Sequence, residues 1–459
     1  MDEAASKKRL HSIPRWFPFA SLALLIVSIL GWSYIDAGSL WPVPGRENDE
    51  IFYENLAFNM SQGRGYKFDF ADETWRQPYQ DVNADGRNDW FFKLQVEGPT
   101  TVRAPALPWV ASVLYRMFGR SWTAVYVFNT VVLAVALNWL LALFARQHGM
   151  LVAGFALITL CVDFSVMQIG NQFMTEALGA ALVALLFCSI AFASSMRLAG
   201  NWILVGLVFG LAMLTRSNMV AWLFEISTLV VALCLWRVIR RRPWKLIATS
   251  AIAFGLGATV VAAPWWHRNN EVTGQFCPFG TAGSIGMTGS YCDAALERYG
   301  NWDPENVVRC QAWSVANHDL SKMTLAEQEY LMGQVSSQEA RDWISNNLDQ
   351  LPRLGLGRML NHLGIAIEHI PIWAKVFNGL LLLGAAIGII VDRRGFGFWI
   401  GLILFLSIAT TVLTWSDFGR YLIPVRPILH CACAIGTIRF WRGPFRYFGF
   451  GKLENSEFA

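Results

Sequence analysis

The sequence predicts an all-α polytopic membrane protein, a bundle of about ten transmembrane helices with two long outer-face loops carrying short helices. Three observations predict it. Apolar runs of roughly twenty residues, the length a helix needs to cross a bilayer, recur from end to end of the 459 residues. Charged residues make up only 15% of the chain and hydrophobic ones 54%, where soluble proteins carry about 25% charged residues. Basic residues gather in alternate short loops. A mean hydropathy of +0.37 agrees. The same composition excludes a cytoplasmic enzyme, a disordered chain and a disulfide-dense secreted module. A net charge of +4, scattered along the chain, gives no reason to expect a nucleic-acid partner.

Taken in order, the expected spans are 17–35, 121–145, 150–169, 174–195, 202–214, 219–236, 246–263, 374–391, 398–414 and 422–438. The run at 202–214 is short for a full crossing. The first run follows Lys7, Lys8, Arg9 and Arg15 with no convincing small-residue cleavage site after it, so it reads as an anchor. A cytoplasmic N-terminus puts Arg146, Arg197, the basic group from Arg237 to Lys245, Arg393, Arg394 and the basic residues from Arg439 to Lys452 inside. Both termini are then cytoplasmic, in a plasma (inner) membrane, and two long polar segments, 37–104 and 265–373, face outward. The chain divides accordingly into 1–36, 37–120, 121–264, 265–373 and 374–459.

Cys161, Cys188, Cys234, Cys431 and Cys433 fall in apolar spans and read as packing residues. Cys277, Cys292 and Cys310 lie in the second outer loop, where one bridge with one remaining thiol is allowed, the pair undetermined. His267, His318, His362 and His369 lack a metal-site spacing. No internal repeat is visible. In the second outer loop Thr324 and Glu327 form a capping box before 328–333, Ser336 or Ser337 can cap a helix toward Leu348, and Pro352 ends it. The apolar stretch 354–370, with Arg353, Arg358 and His362, suits a helix on the membrane surface or one packed on its neighbours.

Charges at the outer ends of spans carry the functional signal. Arg103, Arg216, Arg268 (after Pro264-Trp265-Trp266-His267) and Arg420 (beside Tyr421) all border the bilayer on its outer side. Guanidinium forks match phosphate oxygens, so the set can converge on an anionic lipid head group, whereas each singly can snorkel or pair with a carboxylate. The matching acids are Asp49, Glu50 and Glu176. Adjacent helical residues diverge by about 100°, so of Asp49 and Glu50 one can act on substrate while the other fixes the loop. A carboxylate beside a membrane-embedded cleft can serve as general base.

Asp49-Glu50, followed by Tyr53, Ala57, Asn59, Gly63, Gly65 and Tyr66, resembles the first outer loop of the GT-C glycosyltransferase superfamily. The resemblance is nearest to the polyprenyl-phosphate-sugar branch, with the protein O-mannosyltransferases and lipid A aminoarabinose transferases. Pro105, Pro108, Tyr115, Phe118 and Gly119 match the interfacial helix of that branch, and Thr175-Glu176 its second acidic site. Gly206, Gly210, Leu211, Ala212, Thr215 and Arg216 match a glycine-bearing span ending in Arg. Pro264-Trp265 with Arg268-Asn269 matches the opening of the large outer loop, and Arg420-Tyr421-Leu422-Ile423-Pro424 the last span. Two departures stand out. Relatives often carry Glu-Lys-Pro-Pro where this chain has Val102-Arg103-Ala104-Pro105, and no large C-terminal soluble domain follows, unlike the oligosaccharyltransferase branch.

The resemblance implies transfer of a sugar from a polyprenyl-phosphate-linked donor to an outer-face acceptor (envelope glycan, lipid or protein) by inverting in-line displacement. Asp49, Glu50 and Glu176 are the expected catalytic residues, with Asp49 the general base. Arg103, Arg216, His267, Arg268, Arg420 and Tyr421 are the expected lipid-phosphate ligands, and no cofactor is required. Asp81, Asn83, Asp85, Gly86 and Asp89 also fit positions of a calcium loop of the EF-hand type, although Phe92 stands at the twelfth position; the alternative is an Asx-rich turn without an ion. Two rival functions are a transporter or flippase of lipid-linked sugars and a non-catalytic envelope-assembly protein. The first should carry ionisable residues deep in several spans, where only Asp163 and Glu225 are candidates.

Overall fold

The computed structural model describes residues 11–45, 48–82, 96–196, 198–366, 371–417 and 419–447. The helices of ten or more residues are α1 (Phe17–Ala37), α2 (Asn48–Ser61), α3 (Glu73–Val82), α4 (Ala106–Phe118), α5 (Trp122–His148) and α6 (Met150–Cys161). There follow α7 (Glu176–Met196), α8 (Trp202–Thr215), α9 (Met219–Ile239), α10 (Lys245–Thr273) and α11 (Pro304–Asn317). The last are α12 (Leu325–Asn346), α13 (Leu351–His362), α14 (Ile372–Val391), α15 (Phe396–Leu413) and α16 (Arg426–Tyr447). A two-stranded antiparallel sheet pairs β1 (Lys67–Asp69) with β2 (Glu97–Pro99). The architecture is all-α, as the apolar runs predict.

Helix α1 buries one stripe and leaves the rest for lipid, whereas α7 is buried on most sides. In α1 the buried residues Phe17, Ser21, Leu25, Ile29 and Ser33 recur every fourth position, one helical face. Phe19 and Val27, on other faces, are exposed. Gly38, at φ 67°, ends α1 with its N–H donated to the Tyr34 carbonyl at 2.8 Å. Ser121 caps α5 through the Ala124 N–H. Small residues let backbones touch where apolar burial gives little drive in lipid. Gly206 meets the Phe254 carbonyl between α8 and α10, and Gly388 meets the Ala432 carbonyl between α14 and α16; a β-carbon at either would collide.

Among the described residues seven helices are long and apolar enough to cross a membrane: α1, α5, α7, α9, α10, α14 and α15. An eighth crossing results if α6 and the segment Phe164–Asn171 count together, but the two are bent by 76° rather than continuous. Asp163 makes the break by capping the new turn, accepting the Ser165 N–H at 3.0 Å. Helix α8, at 14 residues, is short, and α16 starts at Arg426, with Leu422 in a preceding 3₁₀ turn. The sequence expectation of about ten spans therefore counts three segments that are bent, short or charged.

The two long loops pack against each other. In the first, Ile51, Leu56, Phe58, Phe68, Phe70, Trp75 and Tyr79 form a small core under the β-pair. In the second, the Thr324–Glu327 capping box is present, but α12 runs unbroken to Asn346, so Ser336 lies mid-helix and caps nothing. Pro352 opens α13 instead of ending a helix, as its missing N–H allows in a first turn. Arg358 and His362 of α13 are buried against α15 rather than displayed to a membrane surface. Helix α10 continues through Pro264 to Thr273, so the second loop begins later than expected. Cys277, Cys292 and Cys310 are unbridged. Glu329 of α12 docks the second loop on the first, accepting the Thr101 N–H at 2.8 Å and the Thr100 hydroxyl at 2.5 Å.

Candidate active site

Helix α2 presents Asp49 and Glu50 in different directions. Glu50 is buried, its Oε2 accepting the Gly45 N–H and its Oε1 the Phe173 N–H, each at 2.8 Å. It holds the loop before α2 against the segment leading into α7. Glu50 thus fixes the loop, as one of the two adjacent acids was expected to do. Asp49 points toward the arginines. Its Oδ1 lies 2.7 Å from Arg103 Nη2 and its Oδ2 3.2 Å from Arg420 Nη2.

Glu176 is the first residue of α7, where the helix dipole favours an acid. Its Oε1 pairs with Arg216 Nη1 at 3.0 Å and with Arg420 Nε. Arg216 ends α8 in an extended conformation and fits because Gly179 stands one turn beyond Glu176; a β-carbon there would come 2.8 Å from Arg216 Cδ. The Arg216 guanidinium also lies 5.6 Å from the centre of the Tyr421 ring. Arg420 follows Gly419, at φ 77°, and its Nη1 sits 3.2 Å from Asp417 Oδ2. Three acids and three arginines thus form one cluster, with Arg420 at its centre touching Asp49, Glu176 and Asp417.

The electrostatics separate the two acids on the loop side. Burial raises the proton affinity of Asp49, but Arg103 and Arg420 outweigh it and hold its carboxyl below the usual carboxylate range. For Asp417 burial prevails over Arg420, aided by the nearby Asp49 and Glu176 charges, and its carboxyl is pushed up. The cluster also has unused hydrogen-bonding capacity. Arg103 Nε, Arg216 Nε and Nη1, and Glu176 Oε2 are buried without a hydrogen bond, the Arg216–Glu176 contact being a charge pairing without aligned donor geometry. Most buried polar atoms in folded proteins have a partner, so four such atoms in one cluster leave room for a ligand or water. A narrow cavity lined by Thr101, Arg103, Pro105, Ser217, Trp265 and Phe279 opens beside Arg103.

The other expected ligands are not all brought in. His267 faces away, 76% exposed, paired 3.3 Å from Glu271 one turn along α10. Because α10 does not stop at Pro264, His267 and Arg268 point to different sides of a helix. Arg268 donates to the Thr100 carbonyl at 2.6 Å and the Tyr66 carbonyl at 2.7 Å and lies over the Tyr66 and Trp265 rings. It is linked to the cluster through Tyr66, whose hydroxyl donates to the Arg103 carbonyl at 2.9 Å. Tyr421 packs under Arg216, its hydroxyl accepting the Trp415 N–H at 2.5 Å. The calcium pattern falls on Asp81, whose side chain is not described, and on Asn83, Asp85 and Asp89, which lie outside the described residues. Among the described residues no three His, Cys, Asp or Glu side chains group as a metal site.

Sequence reasoning missed Asp417, and it missed two buried networks. Asp163 Oδ2 pairs with Arg426 Nε and His430 Nε2, each at 2.7 Å, inside the bundle. Glu54 on α2 accepts from Arg120, Trp75, Tyr79, Tyr115 and Trp122.

Residues 102–266 match the dolichyl-phosphate-mannose-protein mannosyltransferase family, a segment holding Arg103, Glu176 and Arg216. The fold matches an oligosaccharyltransferase from Archaeoglobus fulgidus in apo form at 11% identity and a TM-score of 0.51, covering 95% of this chain and 52% of that one. It also matches the oligosaccharyltransferase AglB from Archaeoglobus fulgidus in complex with an inhibitory peptide and a dolichol-phosphate. That likeness has 13% identity and a TM-score of 0.52, over 97% of this chain and 53% of that one. ArnT from Cupriavidus metallidurans, bound to undecaprenyl phosphate, aligns over 92% of this chain and 77% of its own at 15% identity, with a TM-score of 0.38. The chain spans about half the length of the archaeal proteins it matches. No curated protein sequence matches it. The chain is an integral membrane protein whose residues 102–266 are similar to the dolichyl-phosphate-mannose-protein mannosyltransferase family and whose fold is similar to that of the archaeal oligosaccharyltransferases.

Proposed function

We propose that the protein is a glycosyltransferase that moves a sugar from a polyprenyl-phosphate carrier to an acceptor at the outer face of the plasma membrane. The observation that carries this reading is the cluster itself: Asp49 held between Arg103 and Arg420, beside Glu176 and Arg216, with buried guanidinium nitrogens left without hydrogen bonds. Support also comes from the family matched over residues 102–266, described by its dolichyl-phosphate-mannose donor. The dolichol-phosphate in the AglB complex points the same way.

In this mechanism Arg420, Arg103 and Arg216 take the donor phosphate. Asp49 accepts the proton as the acceptor O–H or N–H bond breaks and the nucleophile attacks the anomeric carbon. The bond from that carbon to the phosphate oxygen breaks, its electron pair leaves with the lipid phosphate, and configuration inverts. A phosphate sharing Arg420 withdraws positive charge from Asp49 and makes it a better base when donor is present. Fixed guanidinium groups facing the leaving phosphate supply electrostatic stabilisation worth roughly 10²-fold or more per contact. Glu176 orients Arg216 and Arg420. The acceptor is an envelope glycan, lipid or protein.

A transporter of lipid-linked sugars would draw on the Asp163–Arg426–His430 network, but those charges are matched to one another within the bundle. The deciding experiment is mass spectrometry of envelope glycans and lipid-linked sugars with and without the gene. Sugar transfer predicts that one donor accumulates and one sugar goes missing from an acceptor. A missing sugar together with a donor confined to the inner leaflet would favour transport, and unchanged glycans and donor would remove transfer; either overturns the proposal.

A further inference from the structure

We propose that Asp417 is a placeholder for the donor phosphate: its carboxylate occupies Arg420 Nη1 in the empty site and gives way when a lipid phosphate arrives. The inference rests on the phosphate-binding half of the function proposed above. The charges motivate it. Asp49, Glu176 and Asp417 balance Arg103, Arg216 and Arg420, so the empty cluster is neutral and has no cation to spare for an incoming anion. A phosphate must therefore compete with one of the three carboxylates.

The geometry selects Asp417. Glu176 is 2% exposed and bridges two arginines through one oxygen. Asp49 engages two arginines, one through each oxygen. Asp417, 31% exposed, has Arg420 as the described partner of its carboxylate, three residues along the same chain segment. It sits in a connection with a left-handed Gly419 between it and the arginine, so its side chain can turn to solvent without moving α7, α8 or α2. When it does, Arg420 Nη1 becomes available in a cluster that also holds the unpartnered Arg103 Nε and Arg216 Nε. A tetrahedral phosphate offers acceptor oxygens in more directions than the planar carboxylate it replaces. Asp417 also keeps the site from binding the lipid phosphate product too tightly, because it competes for the same nitrogen after transfer.

The test is binding of polyprenyl phosphate, with inorganic phosphate as a parallel arm, to the full-length protein in nanodiscs, alongside steady-state transfer. Asp417→Asn should bind polyprenyl phosphate about tenfold or more tightly, since one competing charge is gone. Its KM for donor and its kcat should both fall as product release slows. Asp417→Glu, which keeps the charge, should restore affinity to near that of the wild type; a merely structural role would not follow charge in this way. A comparable gain for inorganic phosphate assigns the effect to the head group rather than the chain. Unchanged or weaker binding by folded Asp417→Asn overturns the placeholder while leaving sugar transfer standing. If neither protein binds polyprenyl phosphate, both proposals fall.

Discussion

Helix α2 carries two buried acid–arginine clusters roughly a turn and a half apart, and they are built in opposite ways. Around Glu54, both carboxylate oxygens are filled. Arg120 donates to them at 2.8 and 2.9 Å, Tyr79 and Tyr115 at 3.0 Å each, Trp75 at 2.5 Å and Trp122 at 3.2 Å. The donors come from α3, α4, α5 and the turn between α4 and α5, so the cluster fastens the first long loop to the bundle. Around Asp49 three arginines and two further acids leave donors and an acceptor unused. That an acid meets an arginine does not distinguish the two. Saturation does: a closed network specifies structure, and an open one beside a cavity keeps capacity for a ligand.

Breaking the closed cluster should have the largest effect. Glu54→Ala strands Arg120 and four side-chain donors in a buried space, and removal of one partner of such a pair costs about 3–5 kcal/mol. Thermal unfolding in detergent should show a large loss of Tm, and an unchanged Tm would remove the structural assignment. Opening the other cluster should instead spare the fold and hit the chemistry. Arg420→Lys cannot contact Asp49, Glu176 and Asp417 at once, and transfer should drop by about 10²-fold with donor bound less tightly. A third polar group, His362, is closed without charge, its ring nitrogens meeting the Ser407 and Thr411 hydroxyls at 3.0 Å. Burial lowers its pKa from 6.5 to about 4. The folded state therefore binds the proton less well than the unfolded one. That contribution to stability is complete above pH 6.5 and is lost, up to about 3 kcal/mol, as pH falls toward 4. His362→Gln should flatten a Tm–pH curve over that window. The smallest effect is expected for His267→Ala, whose exposed side chain should leave turnover within about twofold and stability within about 0.5 kcal/mol.

Much of the candidate site was legible because its residues violate a simple expectation. Arg103, Arg216 and Arg420 are cations at span ends that the positive-inside bias should leave poor in Arg, and three of the four so marked do converge. Arg268 and His267 lie on different sides of one helix for a local reason: α10 passes through Pro264 and continues to Thr273, where a span ending at the proline would leave both in a loop. Glu54 was invisible because its meaning lies in partners from other elements. Asp417 was overlooked as an ordinary loop acid, since only the path of the chain around Gly419 brings it to Arg420. The break at Asp163 escaped notice because Val162-Asp163-Phe164 carries neither glycine nor proline. The apolar runs gave the class of fold reliably; bends and short crossings do not register in hydropathy.

The most direct test of the central claim is turnover by Asp49→Asn, reconstituted in liposomes with a polyprenyl-phosphate-linked sugar and acceptor, with its Tm measured in the same preparation. The account predicts transfer reduced by about 10²-fold or more with the fold intact, since the carboxamide keeps the shape but cannot take the proton. Transfer at near the wild-type rate by a folded Asp49→Asn would contradict it.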